Sequence, residues 1–134
     1  MNDAVNHPSH YTTGKYEVID VIEDWRVCYH LGNVIKYIAR HQHKGRPIED
    51  LKKAEWYLKR LVEFQNRYKY EHLCQISASR ASETFEEIMI DWALPANLVV
   101  VLKNITERKF EKAVEILSNY IVKLEENQTE QINE

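Results

Sequence analysis

Asn33, Lys36, Tyr37 and Arg40 stand at i, i+3, i+4 and i+7 inside the run HLGNVIKYIARHQHKGRPIEDLKKAEWYLKRL, residues 30–61. On a helix this spacing puts all four on one face. Two cations one turn apart could hold neighbouring phosphoryl oxygens, arginine as a bidentate fork and lysine as a point charge. Asparagine and tyrosine would offer hydrogen bonds and a stacking surface to a base or sugar, and Lys44 would close over the phosphate from the following turn. An ordinary solvated helix face has the same spacing.

Asp50, Lys53 and Tyr57 form a second set at i, i+3 and i+7. They would put an acid, a base and an aromatic ring on one face of the next helix. If that face meets the first across the HKGRP turn, Asp50 could orient a hydroxyl or the guanidinium of Arg40. His7 and His10, in the segment NHPSHY, could line a substrate loop or act as acid and base. With His41 and His43 they suggest a metal only weakly, because nothing fixes a third ligand, and no metal site is expected. The carboxylates Glu17, Asp20 and Asp24, with Glu86, Glu87 and Asp91 later, are similar to magnesium-holding acidic helices of all-α nucleotide pyrophosphatases, but their ordinary reading is a solvated face.

Other chemistry is excluded by what the chain lacks. There is no GxxxxGK[ST], no GxGxxG and no glycine-rich loop to cradle phosphates, and no GxSxG nucleophile context. Cys28 and Cys74 show neither finger nor CxxC spacing, which fits a reducing cytoplasm.

The elements that must position these residues are helices. Only three glycines and three prolines occur in 134 residues, too few turns for a sandwich or barrel. The expected fold is all-α, a bundle of about five or six helices in a single domain. An irregular leader covers 1–15, a motif-bearing half 16–76, a second helical half 77–126 and a frayed tail 127–134. The helices are expected at about 16–26, 31–41, 48 into the seventies, 83–92, 95–105 and 107–126. Ser82 is the expected N-cap of the fourth. Leu31, Val34, Ile35 and Ile38 form the buried stripe of the second helix, and Leu51, Ala54, Leu58, Leu61 and Val62 that of the third. Gly45 and Pro47 break the pattern between them.

The chain also compares with itself. At an offset of 67 residues Asp24, Trp25, Leu31, Val34, Lys36 and Ile38 fall on Asp91, Trp92, Leu98, Val101, Lys103 and Ile105. With the second connection eight residues shorter, Leu51, Lys53, Ala54 and Leu58 fall on Phe110, Lys112, Ala113 and Leu117. The simplest reading is a degenerate duplication of a three-helix unit. Gly32, Asn33, Tyr37 and Arg40 become Val99, Val100, Asn104 and Glu107, so only the first copy keeps the polar stripe. A site in copy one and a packing role for copy two follow.

Charge is distributed unevenly. Residues 31–70 carry ten basic and four acidic side chains, while 71–134 carry six basic and twelve acidic, within a net charge of −3. A basic block between acidic flanks suits phosphate binding or pairing between subunits. An acidic chain overall argues against non-specific duplex binding. No apolar run approaches the roughly 20 residues that span a bilayer, and the expectation is a soluble, unexported protein without membrane partners.

Taken as a set, NHPSHY, GKYEVIDVIEDW, LGNVIKYIARHQHKG and IEDLKKAEWYL resemble the SaV-like family of small phage proteins, long described as of unknown function. The resemblance covers residues 6 to about 61. Its shared residues would be His7, His10, Tyr11, Gly32, Asn33, Lys36, Tyr37, Arg40, Lys44, Asp50, Lys53 and Tyr57. Family members are similar to a coliphage early protein that acts as a nucleoside monophosphate kinase without a P-loop and forms a large homo-oligomer. The resemblance implies a phage nucleotide-binding protein of the host cytoplasm. Its expected activity is kinase-like transfer of a phosphoryl group to a nucleoside or deoxynucleoside monophosphate.

On that expectation Lys36, Arg40 and Lys53 carry phosphate charge, and Asn33 and Tyr37 read base or sugar. His10 or Asp50 would orient the acceptor, with His7, Tyr11, Lys44 and Tyr57 lining the site. A nucleoside triphosphate would be the donor, and no motif demands magnesium. The alternatives are a protein that sequesters a nucleotide or cyclic nucleotide unchanged, and an inhibitor of a host protein.

Overall fold

A computed structural model describes residues 15–43, 45–68 and 76–133 of the chain. It contains six helices: α1 (Val18–Trp25), α2 (Tyr29–Arg40), α3 (Pro47–Tyr68), α4 (Ala78–Trp92), α5 (Ala96–Thr106) and α6 (Phe110–Asn133). There is no strand among the described residues, and the fold is an all-α bundle. No helix among them is long and apolar enough to cross a membrane.

Helix ends follow local chemistry. Arg26 takes the left-handed conformation (φ 54°) after α1, and its N–H reaches the carbonyls of Glu23 and Ile22. Gly45 (φ 74°) makes the turn before Pro47 opens α3. A positive φ costs a glycine little because it has no Cβ, and proline at a first helical position loses no intrahelical hydrogen bond. Three boundaries differ from the sequence expectation. The fourth helix starts at Ala78 rather than about 83, because Ser77, not Ser82, is the N-cap, its side chain accepting from Arg80 N–H at 3.5 Å. The last helix starts at Phe110 rather than 107, after a turn in which Arg108 takes φ 62°. Residues 127–133, expected to fray, continue α6, since nothing in ENQTEQIN breaks the helical period.

The two halves repeat one plan. α2 packs most closely on α3 and α5 on α6, with α3 and α6 joining the halves. The counterpart pairs Leu31 and Leu98, Val34 and Val101, Ile38 and Ile105, Ala54 and Ala113, and Leu58 and Leu117 are all fully buried. Ala93, the counterpart of Arg26, ends α4 in the same left-handed conformation (φ 51°). One position departs: Trp25 is fully buried and donates to Thr84 Oγ1 at 2.9 Å, whereas Trp92 is half-buried and donates to the carbonyl of Tyr16 at 2.9 Å.

α1 is also tied to α4 by polar contacts. Lys15 and Tyr16 donate their backbone N–H groups to the Asp91 carboxylate, each at 2.9 Å, and Arg80 straddles Asp24 at 3.0 and 3.3 Å. Ser77 N–H donates to the Trp25 carbonyl at 2.6 Å. Arg80 is thereby held firmly protonated, chiefly by its bond to Asp24.

Candidate functional site

The close packing of α2 on α3 brings the two sequence-derived sets together. Their relative position follows from the apolar stripes: burying Leu31, Val34, Ile35 and Ile38 against Leu51, Ala54, Leu58 and Leu61 turns the flanking polar residues toward the shared edge. Along that edge Tyr37 of α2 lies parallel to Tyr57 of α3, with centroids 6.1 Å apart and planes at 17°. Three cations surround the same Tyr37 ring. Lys36 Nζ and Arg40 Cζ each lie 4.5 Å from its centroid, and Lys53 Nζ lies 5.5 Å away.

The cations differ in how they are compensated. Arg40 Nη2 lies 3.4 Å from Asp50 Oδ1, with the side chains only 13% and 5% exposed. Lys53 Nζ is 3.8 Å from Glu49, on the solvent side. Lys36 has no ion pair among the described residues. Asp50 Oδ2 is buried without a hydrogen-bond partner among them, so the carboxylate is devoted to Arg40 rather than open to solvent.

Asn33 does not share this edge as a solvent-facing group. Its residue is 9% exposed, and its amide donates to the Tyr29 carbonyl at 3.0 Å. The i, i+3, i+4, i+7 stripe is thus divided: α3 covers one end, while Lys36 and Tyr37 stay half-exposed. His7, His10, Tyr11 and Lys44 lie outside the described residues. His41 closes α2 as a buried residue whose Nδ1 contacts the Ile38 carbonyl, and burial lowers its pKa below the ordinary value.

An aromatic cluster around Tyr57 was missed by the sequence reading. Tyr29 meets Tyr57 edge-on at 6.0 Å, Trp56 meets it edge-on at 5.0 Å, and His30 stacks on Phe64 at 6.4 Å. Tyr29 also holds the Tyr57 hydroxyl, which raises the Tyr57 pKa above the usual tyrosine value. A signal was available: Tyr29 precedes Tyr37 by eight residues and Phe64 follows Tyr57 by seven, so each pair shares a helix face. Trp56 also borders a surface cleft of about 520 Å³ with Ile48, Glu49, Lys52 and Lys53.

The carboxylates that resemble a magnesium helix have other employment. Asp24 pairs with Arg80, Asp91 accepts the two backbone N–H groups before α1, and Glu87 accepts the Tyr16 hydroxyl at 2.5 Å. Among the described residues no three His, Cys, Asp or Glu side chains converge as metal ligands.

Residues 5–59 match one family model, described only as a protein of unknown function (DUF3310). The matched stretch takes in α1, α2 and the first half of α3, and so includes Lys36, Tyr37, Arg40, Asp50, Lys53 and Tyr57. No curated protein and no solved structure matches the chain.

Proposed function

We propose that the α2–α3 edge binds the phosphate of a nucleoside phosphate, and that its chemistry is kinase-like phosphoryl transfer to a nucleoside or deoxynucleoside monophosphate without a P-loop. The observation that carries the reading is the gathering of Lys36, Arg40 and Lys53 around the single ring of Tyr37. Three like charges so close repel one another, and Asp50 and Glu49 stand beside Arg40 and Lys53. An anion in front of the ring relieves that repulsion, and the ring itself offers a stacking face.

Each residue has a role on this reading. Lys36 and Lys53 carry the phosphate charge. Arg40, held in one orientation by Asp50, adds its positive charge to the same edge. Tyr37, backed by Tyr57, takes the base or sugar. Phosphoryl transfer is chiefly positioning and charge stabilisation, which a basic edge of this kind can supply. The resemblance to the SaV-like phage proteins supports the same reading, since Lys36, Tyr37, Arg40, Asp50, Lys53 and Tyr57 of this edge are among its shared residues, and it implies the host cytoplasm and a homo-oligomeric working form.

The test is direct. Purified protein is titrated with each nucleoside monophosphate by calorimetry, then incubated with a labelled nucleoside triphosphate and magnesium. Binding in the wild type that weakens at least tenfold in Lys36→Ala and Lys53→Ala, together with labelled diphosphate product, is the expected result. Binding with recovery of unchanged nucleotide would replace transfer by sequestration. Equal binding by wild type and both variants would refute the site.

A further inference from the structure

The cationic edge is one end of a longer structure. From Tyr37 the rings continue through Tyr57 to Tyr29, then His30 and Phe64, each centroid 6.0–6.4 Å from the next. Trp56 branches from Tyr57 at 5.0 Å. Tyr29 and Trp56 are 73% and 60% exposed, unusual for side chains of such apolar area. Large exposed rings in a row are costly in water unless something stacks on them.

A single nucleotide does not account for this extent. From His30 to Arg40 the track follows ten residues of α2, about 15 Å at the helical rise. That is about four times the 3.4 Å spacing of nucleotides along a stacked strand. One base and its phosphate occupy the Tyr37 end and leave Tyr29 and Trp56 uncovered.

We infer that the α2–α3 edge is a track for single-stranded polynucleotide, with bases stacked on Tyr29, Trp56 and neighbouring rings and the backbone held by Lys36, Lys53 and Arg40. For its phosphate-binding end the inference rests on the nucleotide reading above. Charge complementarity favours this occupant: residues 31–70, which hold Lys36, Tyr37, Arg40, Lys53, Trp56 and Tyr57, carry ten basic against four acidic side chains in a chain of net charge −3. Exposed aromatic rings next to grouped cations form the general surface for single strands, because every base has a face to stack and every linkage a charge. A duplex hides its base faces and gains nothing from Tyr29 or Trp56. The stacked bases and phosphates are common to DNA and RNA, and the choice between them is read by experiment.

The test is fluorescence anisotropy with labelled oligo-dT and oligo-U of 2, 4, 8 and 12 residues, a 12-base-pair duplex, and dTMP as competitor. Affinity is expected to rise with length up to about four residues. It should fall with salt at a logarithmic slope of about −2, as three phosphate contacts on a single strand require. Tyr29→Ala and Trp56→Ala, both at exposed positions, are each expected to lose at least about fivefold in 12-mer affinity, while dTMP binding and the melting temperature of Trp56→Ala stay unchanged. Equal affinity for dimer and 12-mer, equal affinity for duplex and single strand, or unchanged 12-mer binding in both variants would overturn the track and leave the mononucleotide reading standing. Binding of neither dTMP nor any oligonucleotide would overturn both.

Discussion

Arg40 and Asp50 are paired at 3.4 Å across α2 and α3, and their counterparts in the second half, Glu107 and Lys109, are paired at 3.8 Å with the charges exchanged. The repeated plan thus keeps an ion pair at the joint between its second and third helices while reversing its sign. The first pair is nearly buried, and the second is exposed at 41% and 64%. Burial should therefore separate their contributions. Asp50→Ala removes a buried carboxylate from beside a nearly buried guanidinium and is expected to cost about 3 kcal/mol, whereas Glu107→Ala should cost less than about 1 kcal/mol. Urea unfolding of the two variants decides; equal costs would remove the distinction.

The joint also makes stability sensitive to acid. Burial lowers the His41 pKa, with His43 adding slightly, while the Ile38 carbonyl and the Asp50 charge act in the opposite direction. The unfolded chain takes up this proton near pH 6.5 and the native chain only at lower pH, so the unfolded state binds more protons in between. The contribution is complete above about pH 6.5 and is lost as pH falls through the native value. Urea midpoints should fall from pH 7 to pH 5.5 by more in the wild type than in His41→Gln, and parallel falls would contradict the assignment.

Two glycines should respond oppositely to alanine. A Cβ on Gly32, inside α2, would meet Ile22 at 3.6 Å and Val27 at 3.9 Å, which are ordinary contacts. Gly32→Ala is expected to stabilise by about 0.5–1 kcal/mol through helix propensity. Gly45 stands at φ 74°, where alanine is strained whatever the space, and Gly45→Ala should destabilise by about 1–2 kcal/mol. Thermal melts of both variants give the signs.

The repeated core predicts matched losses. Leu58 and Leu117 are counterparts and both fully buried. Leu58→Ala and Leu117→Ala should each cost about 2–5 kcal/mol, the sum of lost transfer energy and an unfilled cavity. A loss under 1 kcal/mol in either would show that its half of the bundle does not share the core.

On the proposed function, Tyr37 acts through its ring rather than its hydroxyl, since three cations lie over that ring. Tyr37→Phe should bind nucleotide within about twofold of wild type. Tyr37→Leu should weaken binding several-fold, because each cation–ring contact is worth about 0.5–1 kcal/mol at a partly exposed site. Equal affinity in the two variants would remove the ring from the site.

What could be read from the sequence was what depends on one helix at a time. The spacing of Leu31, Val34, Ile35 and Ile38 fixes their direction around the α2 axis, and all four are buried. Gly45 and Pro47 mark a break because their backbone chemistry allows little else, and the matched leucines and alanines of the two halves disclosed the repeated plan. The same reasoning put Asn33 and Arg40 on one face with Lys36 and Tyr37, which is correct about the axis but silent about what covers that face.

The tertiary structure decided the rest, because burial of a helix face depends on where a neighbouring helix comes to lie. α3 covers the Arg40 end and supplies Asp50, Asn33 turns inward to the Tyr29 carbonyl, and Lys36 and Tyr37 stay partly open. Contacts over long stretches of chain decided the fate of the acidic faces: Asp24 meets Arg80, and Asp91 meets the backbone of Lys15 and Tyr16. Spacing along the chain determines a direction around an axis, whereas only packing between helices fixes the distances at which Tyr29, Tyr37, Trp56 and Tyr57 meet.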